Sequence, residues 1–389
     1  MVGYLDNISK NVITPTKKII EIYFPTIIFL FSLFFIVKTL FLNFYPDFKV
    51  HYLAPLAIFN GVNPYLGGKN FFTPDVHPPF AIFLFSPFTL FSYPVAEKLW
   101  TLISIALFFG SLTLIFKINK EKIYSKTGLL LTALICSFYF PVKFTLGMGQ
   151  INFLILFLAV LSIYFLNKGK YYYSGFFLSL SVMIKFFPLL FLPYFVILKE
   201  WRVIFSFIIF FLGISTIVFL INPGINVDFY KNVLPTLLGG WKADYYNQSL
   251  SGFLARGVED IYLREIIRII ISSLFIIFSL VLILKSPKSL INLCLSLLIT
   301  ITLIINNFSW QHHFVWLLFP FITLFFYIKN NKLGPKYFFI LGLSFFLVGI
   351  NLSNPRLFPV ILISHVFYGT IVLWGLNFYL ISKRLGSRI

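Results

Sequence analysis

Long apolar runs, separated by short polar or basic segments, make up most of the chain. A helix needs about 20 apolar residues to cross the hydrocarbon core of a bilayer, and successive runs reach or approach that length. We therefore predict an all-α polytopic membrane protein with about twelve transmembrane helices in one domain, residues 1–389. After a polar leader, residues 1–18, the predicted runs are residues 19–42, 79–91, 95–116, 127–144, 151–167, 171–198, 203–221, 265–284, 289–306, 310–328, 337–350 and 358–381.

Two longer polar stretches, residues 43–78 and 222–264, are predicted to be external loops. The first predicts a short amphipathic helix on the membrane surface, which Pro46 can open because a helix start leaves its N–H groups unpaired anyway. Its apolar face is formed at helical spacing by Phe48, Tyr52, Leu56 and Phe59. Asn60 and Gly61 provide the helix stop.

Asp47 and His51 lie four residues apart and share another face of this predicted helix. Asp47 is the first acidic residue after the first apolar run. From the residues alone it has two interpretations: an acidic side chain favoured by the macrodipole at a helix start, or a carboxylate that takes part in chemistry.

Charge and composition narrow the class of protein. The chain is 59% hydrophobic and only 11% charged, which is too little charge for a soluble domain, and its net charge is +19. The basic residues collect in short segments between apolar runs, as orientation signals do, and some can serve lipid headgroups or phosphates. No basic–aromatic module for nucleic acid is present. Cys136 and Cys294 lie within apolar runs and predict neither a disulfide framework nor a metal site.

Counting sides from a cytoplasmic N-terminus leaves a conflict. Twelve full crossings place residues 117–126, which are rich in lysine, outside, against the positive-inside rule. If one run between residues 79 and 116 does not cross fully, residues 117–126 become internal and residues 147–152 external. The later loops then need another irregular segment, such as residues 171–198, broken at Pro188. The sequence leaves both counts open.

Polar residues that interrupt the later runs are the other candidates for chemistry. Lys185 lies in mid-run, where it either contacts an anionic lipid phosphate or extends to the nearest surface. The amides of Gln150 and Asn152 can bind sugar hydroxyls or complete a helix break. Arg256, near Asn247, Gln248 and Ser249, can hold a phosphate through paired N–H bonds or be a solvated loop charge.

His312 and His313 start another apolar run. Neighbouring side chains on a helix diverge by about 100°, so the two rings are expected to have different roles. No third and fourth ligand stands at convincing spacing for a metal. A role as acid, phosphate donor or orienting group is therefore favoured.

Six segments together resemble glycosyltransferase family 87, of the C-type membrane glycosyltransferase superfamily, over about residues 44–320. They are DFKVHYLAPLAIFNGVNPY, HPPFAIFLFSPF, GQINFLILFLAV, SGFFLSLSVMIKFFPLLFLPYFVILKEWR, NQSLSGFLAR and WQHHFVWLLFP. The resemblance implies an inverting, metal-independent and cofactor-free enzyme in the cell membrane. Such an enzyme moves a hexose, typically mannose, from a polyprenyl-phosphate donor to a lipid or glycan acceptor on the extracytoplasmic face.

The resemblance also implies site residues. Asp47 matches the family's general base, and the pair His312 and His313 matches its histidine, with His312 favoured and the choice between the two left open. Donor- and acceptor-binding residues are expected among His313, Arg256, Gln248, Asn247, Lys185, Gln150, Asn152, His77 and His51. Two other functions stay open: a lipid or sugar transporter, which predicts charges at mid-membrane and paired broken helices, and a ligase that joins a whole lipid-linked glycan to an acceptor.

Overall fold

The computed structural model describes residues 15–42, 45–66, 75–237, 243–352 and 354–386, with side chains from residue 23 onward. Most of the predicted leader, together with residues 43–44, 67–74 and 238–242 of the two predicted loops, lies outside the described residues. Within the described ranges the chain forms helices, turns and loops, with one isolated antiparallel bridge between Asn247 and Trp310. The prediction of an all-helical protein is confirmed.

Seventeen α-helices of more than one turn are found in the described ranges. They are α1 (Pro15–Val37), α2 (Pro46–Phe59), α3 (Pro79–Phe85), α4 (Tyr93–Ile118), α5 (Lys126–Phe138), α6 (Phe140–Met148), α7 (Asn152–Asn167), α8 (Tyr171–Ile184), α9 (Phe191–Ile197), α10 (Trp201–Ile221), α11 (Pro223–Asp228), α12 (Leu250–Gly257), α13 (Ile261–Lys285), α14 (Ile291–Ile305), α15 (Leu318–Asn330), α16 (Pro335–Gly349) and α17 (His365–Gly386). Short 3₁₀ segments cover Lys38–Phe41, Ser86–Leu90, Phe187–Leu190, Lys288–Leu290, Gln311–Leu317, Pro355–Leu357 and Leu362–Ser364, and a π-helical turn, Phe229–Val233, leads into the α-turn Leu234–Thr236.

Seven helical stretches of the described chain are long and apolar enough to cross a membrane. An eighth is present if α5 and α6, bent by 61° relative to each other, form one span. Pro141 explains this bend, because proline fits the first turn of α6 but would break a continuous helix. Five shorter apolar helices lie within other predicted runs, and the count of about twelve crossings stays a prediction.

The central helices pack closely around α7 and α8. Helix α8 lies against both α7 and α10, and α4 packs on α7. At Gly175 of α8 an added Cβ would stand 2.3 Å from the Val203 carbonyl oxygen. A small residue therefore lets α8 and α10 approach each other, as is common between membrane helices.

Helix α2 begins at Pro46 and ends before Asn60 and Gly61, where the φ angle of Gly61 is +70°. Both ends agree with the sequence. The predicted apolar face is only partly right, because Phe59 is 62% exposed whereas His51 is buried on another side of the helix. The reason is that α3, the Ser86–Leu90 segment and α4 pack around α2. An interfacial position for α2 stays a prediction.

Candidate active site

Two adjoining cavities meet at a wall formed by Asp47, Val76, His77 and Gln150. The first, named the histidine cavity, has a volume of about 420 Å³ and is also lined by Lys185, His312 and His313. The second, named the acidic cavity, has a volume of about 550 Å³ and is also lined by His51, Asp75 and Asp228. Seven of the residues predicted for the site therefore come together here.

Asp47 stands in the first turn of α2 and faces both cavities. Its Oδ2 accepts a hydrogen bond of 2.6 Å from Gln150 Nε2, and the residue at the helix N-cap, Tyr45, makes no side-chain cap bond. Burial raises the pKa of the Asp47 carboxyl, while the Gln150 bond and the charges of His77 and Lys185 act in the opposite direction. A buried carboxylate with a raised pKa is a stronger base than an exposed one.

Gly149 positions Gln150. It ends α6 with a φ angle of +69°, in the left-handed region that favours glycine. An added Cβ there would stand 2.6 Å from the Phe48 Cβ, so this position also needs glycine for close packing on α2. Trp100 Nε1 donates a 2.9 Å bond to the Gly149 carbonyl, which fixes the turn that directs Gln150 towards Asp47.

The 3₁₀ segment Gln311–Leu317 is held by side chains of α6, α7 and the residue before α6. Tyr139 donates to the Phe314 carbonyl at 2.7 Å, and Thr145 donates to the His312 carbonyl at 3.1 Å. Asn152 Nδ2 lies 3.4 Å from the same His312 oxygen. Asn152 is fully buried and lines neither cavity, so its contact orients the histidine segment.

Lys185 and His313 form a close pair in the histidine cavity, with Nζ 2.7 Å from Nε2. The Trp310 backbone N–H donates to His313 Nδ1 at 3.1 Å. Because a backbone N–H can only donate, the neutral ring carries its proton on Nε2. With Lys185 as an ammonium, Nε2–H and Nζ are two donors 2.7 Å apart that cannot bond to each other, and an anion that accepts from both would relieve this contact.

A stack of aromatic rings also lines the histidine cavity. Phe144 and Tyr246 stack at 5.0 Å, Tyr246 and Trp310 at 6.1 Å, and Trp310 lies nearly parallel to His312 at 6.1 Å. Together with the Lys185–His313 pair, these rings give the cavity both a cationic group and aromatic faces.

Asp75 and two histidines form the inner part of the acidic cavity. Asp75 Oδ1 accepts from the His77 backbone N–H at 2.8 Å and lies 2.9 Å from His77 Nδ1. Burial lowers the pKa of His51 to about 3. Burial alone would raise the pKa of Asp75, but the charge of His77 and its hydrogen bonds lower it overall. At the mouth, Asp228 accepts from Asn63 and Asn232.

Arg256 lies outside both cavities. Its Nη1 donates to the carbonyls of Asp244 at 2.8 Å and Asn247 at 2.9 Å, and its Nη2 donates to Ser364 Oγ at 2.9 Å. Burial lowers the pKa of the guanidinium to about 10. Gln248 also bonds within the chain, to the carbonyls of Tyr245 and Ile363. The predicted Asn247, Gln248 and Arg256 cluster therefore fastens two chain segments together rather than lining the cavities.

The Asn247 segment is paired with the residues before the histidines. The Gln248 N–H donates to the Ser309 carbonyl at 2.8 Å, and the Gln311 N–H donates to the Tyr246 carbonyl at 3.0 Å. These bonds surround the isolated bridge between Asn247 and Trp310. The second predicted loop thereby holds the histidine segment at the cavity.

Comparison with known proteins identifies the family. A model of "Glycosyltransferase family 87" matches residues 76–306, more than half of the chain. The chain belongs to glycosyltransferase family 87. It is therefore a multi-pass membrane glycosyltransferase, and the predicted family resemblance is confirmed. The matched range includes His77, Gln150 and Lys185 but neither Asp47 nor the histidine pair.

A curated relative agrees with this assignment. The polyprenol-phosphate-mannose-dependent alpha-(1-2)-phosphatidylinositol mannoside mannosyltransferase of Mycobacterium tuberculosis (strain ATCC 25618 / H37Rv) is 22% identical over 295 residues. The aligned region covers 70% of this chain and 68% of the relative.

Sequence reasoning did not assign several residues that line these two cavities. Asp75 and Asp228 lie in the two long polar stretches of the sequence, but nothing in their spacing joins them to His51 or Asn63. The aromatic stack could not be predicted, because 21% of the chain is aromatic and no single ring stands out in the sequence. Pairing between distant segments is the information that the sequence lacked.

Proposed function

We propose that this glycosyltransferase moves a hexose, with mannose as the first choice, from a polyprenyl-phosphate donor to a hydroxyl of a lipid or glycan acceptor. The observation that carries this proposal is the position of Asp47 in the wall between two cavities of different chemistry. A transferase needs two substrates to meet at one reacting centre. The name of the mycobacterial relative supports polyprenyl-phosphate mannose as the donor.

In the proposed reaction Asp47 takes the proton of the acceptor hydroxyl. The hydroxyl oxygen attacks the anomeric carbon, and the bond from that carbon to the phosphate oxygen breaks in line with the attack. The sugar is transferred with inversion, and the electron pair leaves with the polyprenyl phosphate. A single general base suffices, because the phosphate is already a good leaving group, whereas glycosidases use two carboxyl groups.

The donor is assigned to the histidine cavity. Lys185 and His313 present donors to the phosphate, whose charge grows as the bond breaks, and the aromatic stack offers faces for the sugar ring. An apolar groove of about 260 Å³ meets this cavity at Pro78 and Phe186 and is lined further by α8 and α10. This groove has the composition needed to hold the first part of a polyprenyl chain.

The acceptor is assigned to the acidic cavity. Its polar lining includes Asp228, Asn232 and Gln150, which can bind hydroxyl groups through carboxylate and amide atoms. An acceptor hydroxyl entering from this side reaches Asp47 across the shared wall.

The site is proposed to face the extracytoplasmic side, in a single catalytic unit. Helix α4, about 39 Å long at 1.5 Å per residue, starts beside Tyr45 and ends at residues 117–126, which contain four lysines. Helices α7 and α15 likewise run from the site towards Lys168 and Lys329. Basic ends opposite the site support a cytoplasmic location for those ends, with Pro79–Leu90 as a segment that does not cross.

Transfer assays test the proposed function. Purified protein in proteoliposomes would receive radiolabelled polyprenyl-phosphate hexoses with lipid or glycan acceptors, and wild type would be compared with Asp47→Asn. We expect transfer from the mannose donor by wild type and almost none by the variant. Carriage of the donor lipid across the bilayer without transfer from any donor, or full activity of Asp47→Asn, would contradict the proposal.

A further inference from the structure

A cluster of three buried side chains in the acidic cavity takes no part in the proposed transfer. His51, Asp75 and His77 are 2%, 1% and 8% exposed. One ligand atom from each residue lies within 4.8 Å of the other two. The two histidine rings meet edge to face at 4.6 Å, and the His51 ring stacks on Phe85 at 4.8 Å.

Two atoms of this cluster lack a hydrogen-bond partner among the described residues. They are His51 Nε2 and Asp75 Oδ2. A buried polar atom without a partner costs about 1–3 kcal/mol, so such atoms are normally completed by a ligand, an ion or water. Here the two atoms are an imidazole nitrogen and a carboxylate oxygen, and both kinds of atom bind metal ions.

We propose that His51, Asp75 and His77 form a binding site for a divalent transition-metal ion, with Zn²⁺ as the best match. Two imidazole nitrogens and one carboxylate oxygen are a ligand set that Zn²⁺ accepts, and three protein ligands leave a position open. Tetrahedral bonds of about 2.0–2.1 Å hold ligand atoms about 3.3 Å apart. The present atoms lie within 4.8 Å of one another, so the side chains would close on a bound ion.

The backbone around the cluster is already anchored. The Asp75 N–H donates to the Pro64 carbonyl at 3.0 Å, and the Tyr65 hydroxyl donates to the His77 carbonyl at 2.9 Å. A bound ion would tie α2 to the segment that precedes α3 and so fix one wall of the acidic cavity.

The test measures metal binding and does not depend on transferase activity, so its failure is distinct from failure of the proposed function. Full-length protein with a purification tag free of histidine would be stripped with a chelator and titrated with Zn²⁺ by calorimetry, with metal content measured after desalting. We expect one equivalent per chain. The variants His51→Gln and Asp75→Asn should bind at least about 100-fold more weakly, because removal of outer partners alone costs about 10–100-fold.

Two control variants locate the metal. His365→Gln alters a histidine that bonds to Leu347 and Tyr245, and His313→Gln alters the pair with Lys185. Both should keep the Zn²⁺ equivalent. If His313→Gln alone removed it, the ion would belong to the histidine pair and the proposal would be wrong.

Wild-type protein alone also gives a decisive readout. Replacement by Co²⁺ should produce the visible d–d bands of a tetrahedral nitrogen–oxygen site, without a thiolate charge-transfer band, since Cys136 and Cys294 are buried in membrane helices. Failure of folded wild type to take up either metal stoichiometrically would overturn the proposal. Equal uptake by wild type, His51→Gln and Asp75→Asn would do the same.

Discussion

The regions around Asp47 and Arg256 both hold a half-buried ionisable side chain in a short helix beside membrane helices, but their hydrogen bonding differs. Arg256 uses its guanidinium on two backbone carbonyls and the Ser364 hydroxyl. Around the two cavities, several polar atoms of the described chain are buried without a partner: His51 Nε2, Asp75 Oδ2, Gln150 Oε1 and His312 Nδ1.

We interpret the Arg256 region as structural and the Asp47 region as the candidate substrate site. A paired buried guanidinium stabilises the fold and has little capacity left for a substrate. Unpaired buried atoms are unfavourable until something binds them, and the four around the two cavities are available to a ligand there. Substitutions around Asp47 should therefore lower activity, whereas substitution of Arg256 should lower the free energy of unfolding.

The largest effect is expected at Asp47. Asp47→Asn keeps an oxygen for Gln150 but cannot take a proton, so kcat/KM should fall about 10³-fold, within the range typical of general bases. Because burial holds the folded-state pKa of Asp47 above its ordinary value, its charge opposes folding at neutral pH. The variant should therefore show no loss of Tm. Transfer assays and thermal unfolding measure the two effects.

Asp228→Asn is the matched control, since Asp228 lines the same acidic cavity but is bonded to Asn63 and Asn232. Its kcat/KM should stay within about tenfold of wild type, as expected for a residue that only binds the acceptor. Equal losses in the two variants would mean that Asp47 acts through the charge of the cavity and not as a base.

Lys185 is expected to come next. Lys185→Met removes the charge at nearly constant length, and kcat/KM for the polyprenyl-phosphate donor should fall about 10²-fold, as for the loss of one group that stabilises developing charge. Lys143→Met is the control, because Lys143 is also partly buried but bonds to the Ser137 carbonyl outside both cavities. Steady-state kinetics in nanodiscs would measure kcat/KM for both variants. A similar loss in Lys185→Met and Lys143→Met would show that Lys185 does not act at the donor site.

Arg256 should show the opposite pattern. Arg256→Met leaves the Asp244 and Asn247 carbonyls without this donor, so we expect a loss of about 3 kcal/mol in the free energy of unfolding. The donor KM of the folded protein should stay within about twofold of wild type. Denaturant unfolding and kinetics on the same preparation measure both quantities. Normal stability with a much higher donor KM would instead indicate that Arg256 holds the phosphate.

The smallest expected effect is on pH dependence. The Gln150 bond lowers the pKa of Asp47, so Gln150→Leu should move the acidic limb of the kcat/KM profile to higher pH and leave the plateau little changed. Activity is lost as pH falls through the pKa of the base, because the protonated carboxyl cannot accept the acceptor's proton. Asn152→Ala, which affects the His312 carbonyl, should leave that limb in place. If the acidic limb of the Gln150→Leu profile did not move, the group that titrates in that limb would not be Asp47.

The parts of the molecule that follow from local sequence were predictable. The ends of α2 follow from Pro46 and from Asn60 with Gly61, because these residues fix backbone geometry at short range. The break near Pro188 was also visible; α8 ends at Ile184 and the next helical segment begins at Phe187.

The other features depend on contacts between residues that are far apart in the sequence. His51 is buried because α3 and α4 cover α2, and the partner of Arg256 at Ser364 is 108 residues away. The sequence offered both residues for the site, Asp47 as the general base and Arg256 as a binding residue. Their surroundings distinguish the two residues. Asp47 faces two cavities, whereas the guanidinium of Arg256 is bonded to two backbone carbonyls and the Ser364 hydroxyl.

The central claim is that Asp47 stands between a donor and an acceptor site. It is tested most directly by a cryo-EM map of Asp47→Asn in nanodiscs, trapped with an intact polyprenyl-phosphate hexose. We predict phosphate density beside Lys185 and His313, the lipid chain in the groove at Pro78 and Phe186, and the anomeric carbon directed towards position 47. Phosphate density in the acidic cavity, or a sugar on the far side of the aromatic stack from position 47, would contradict the account.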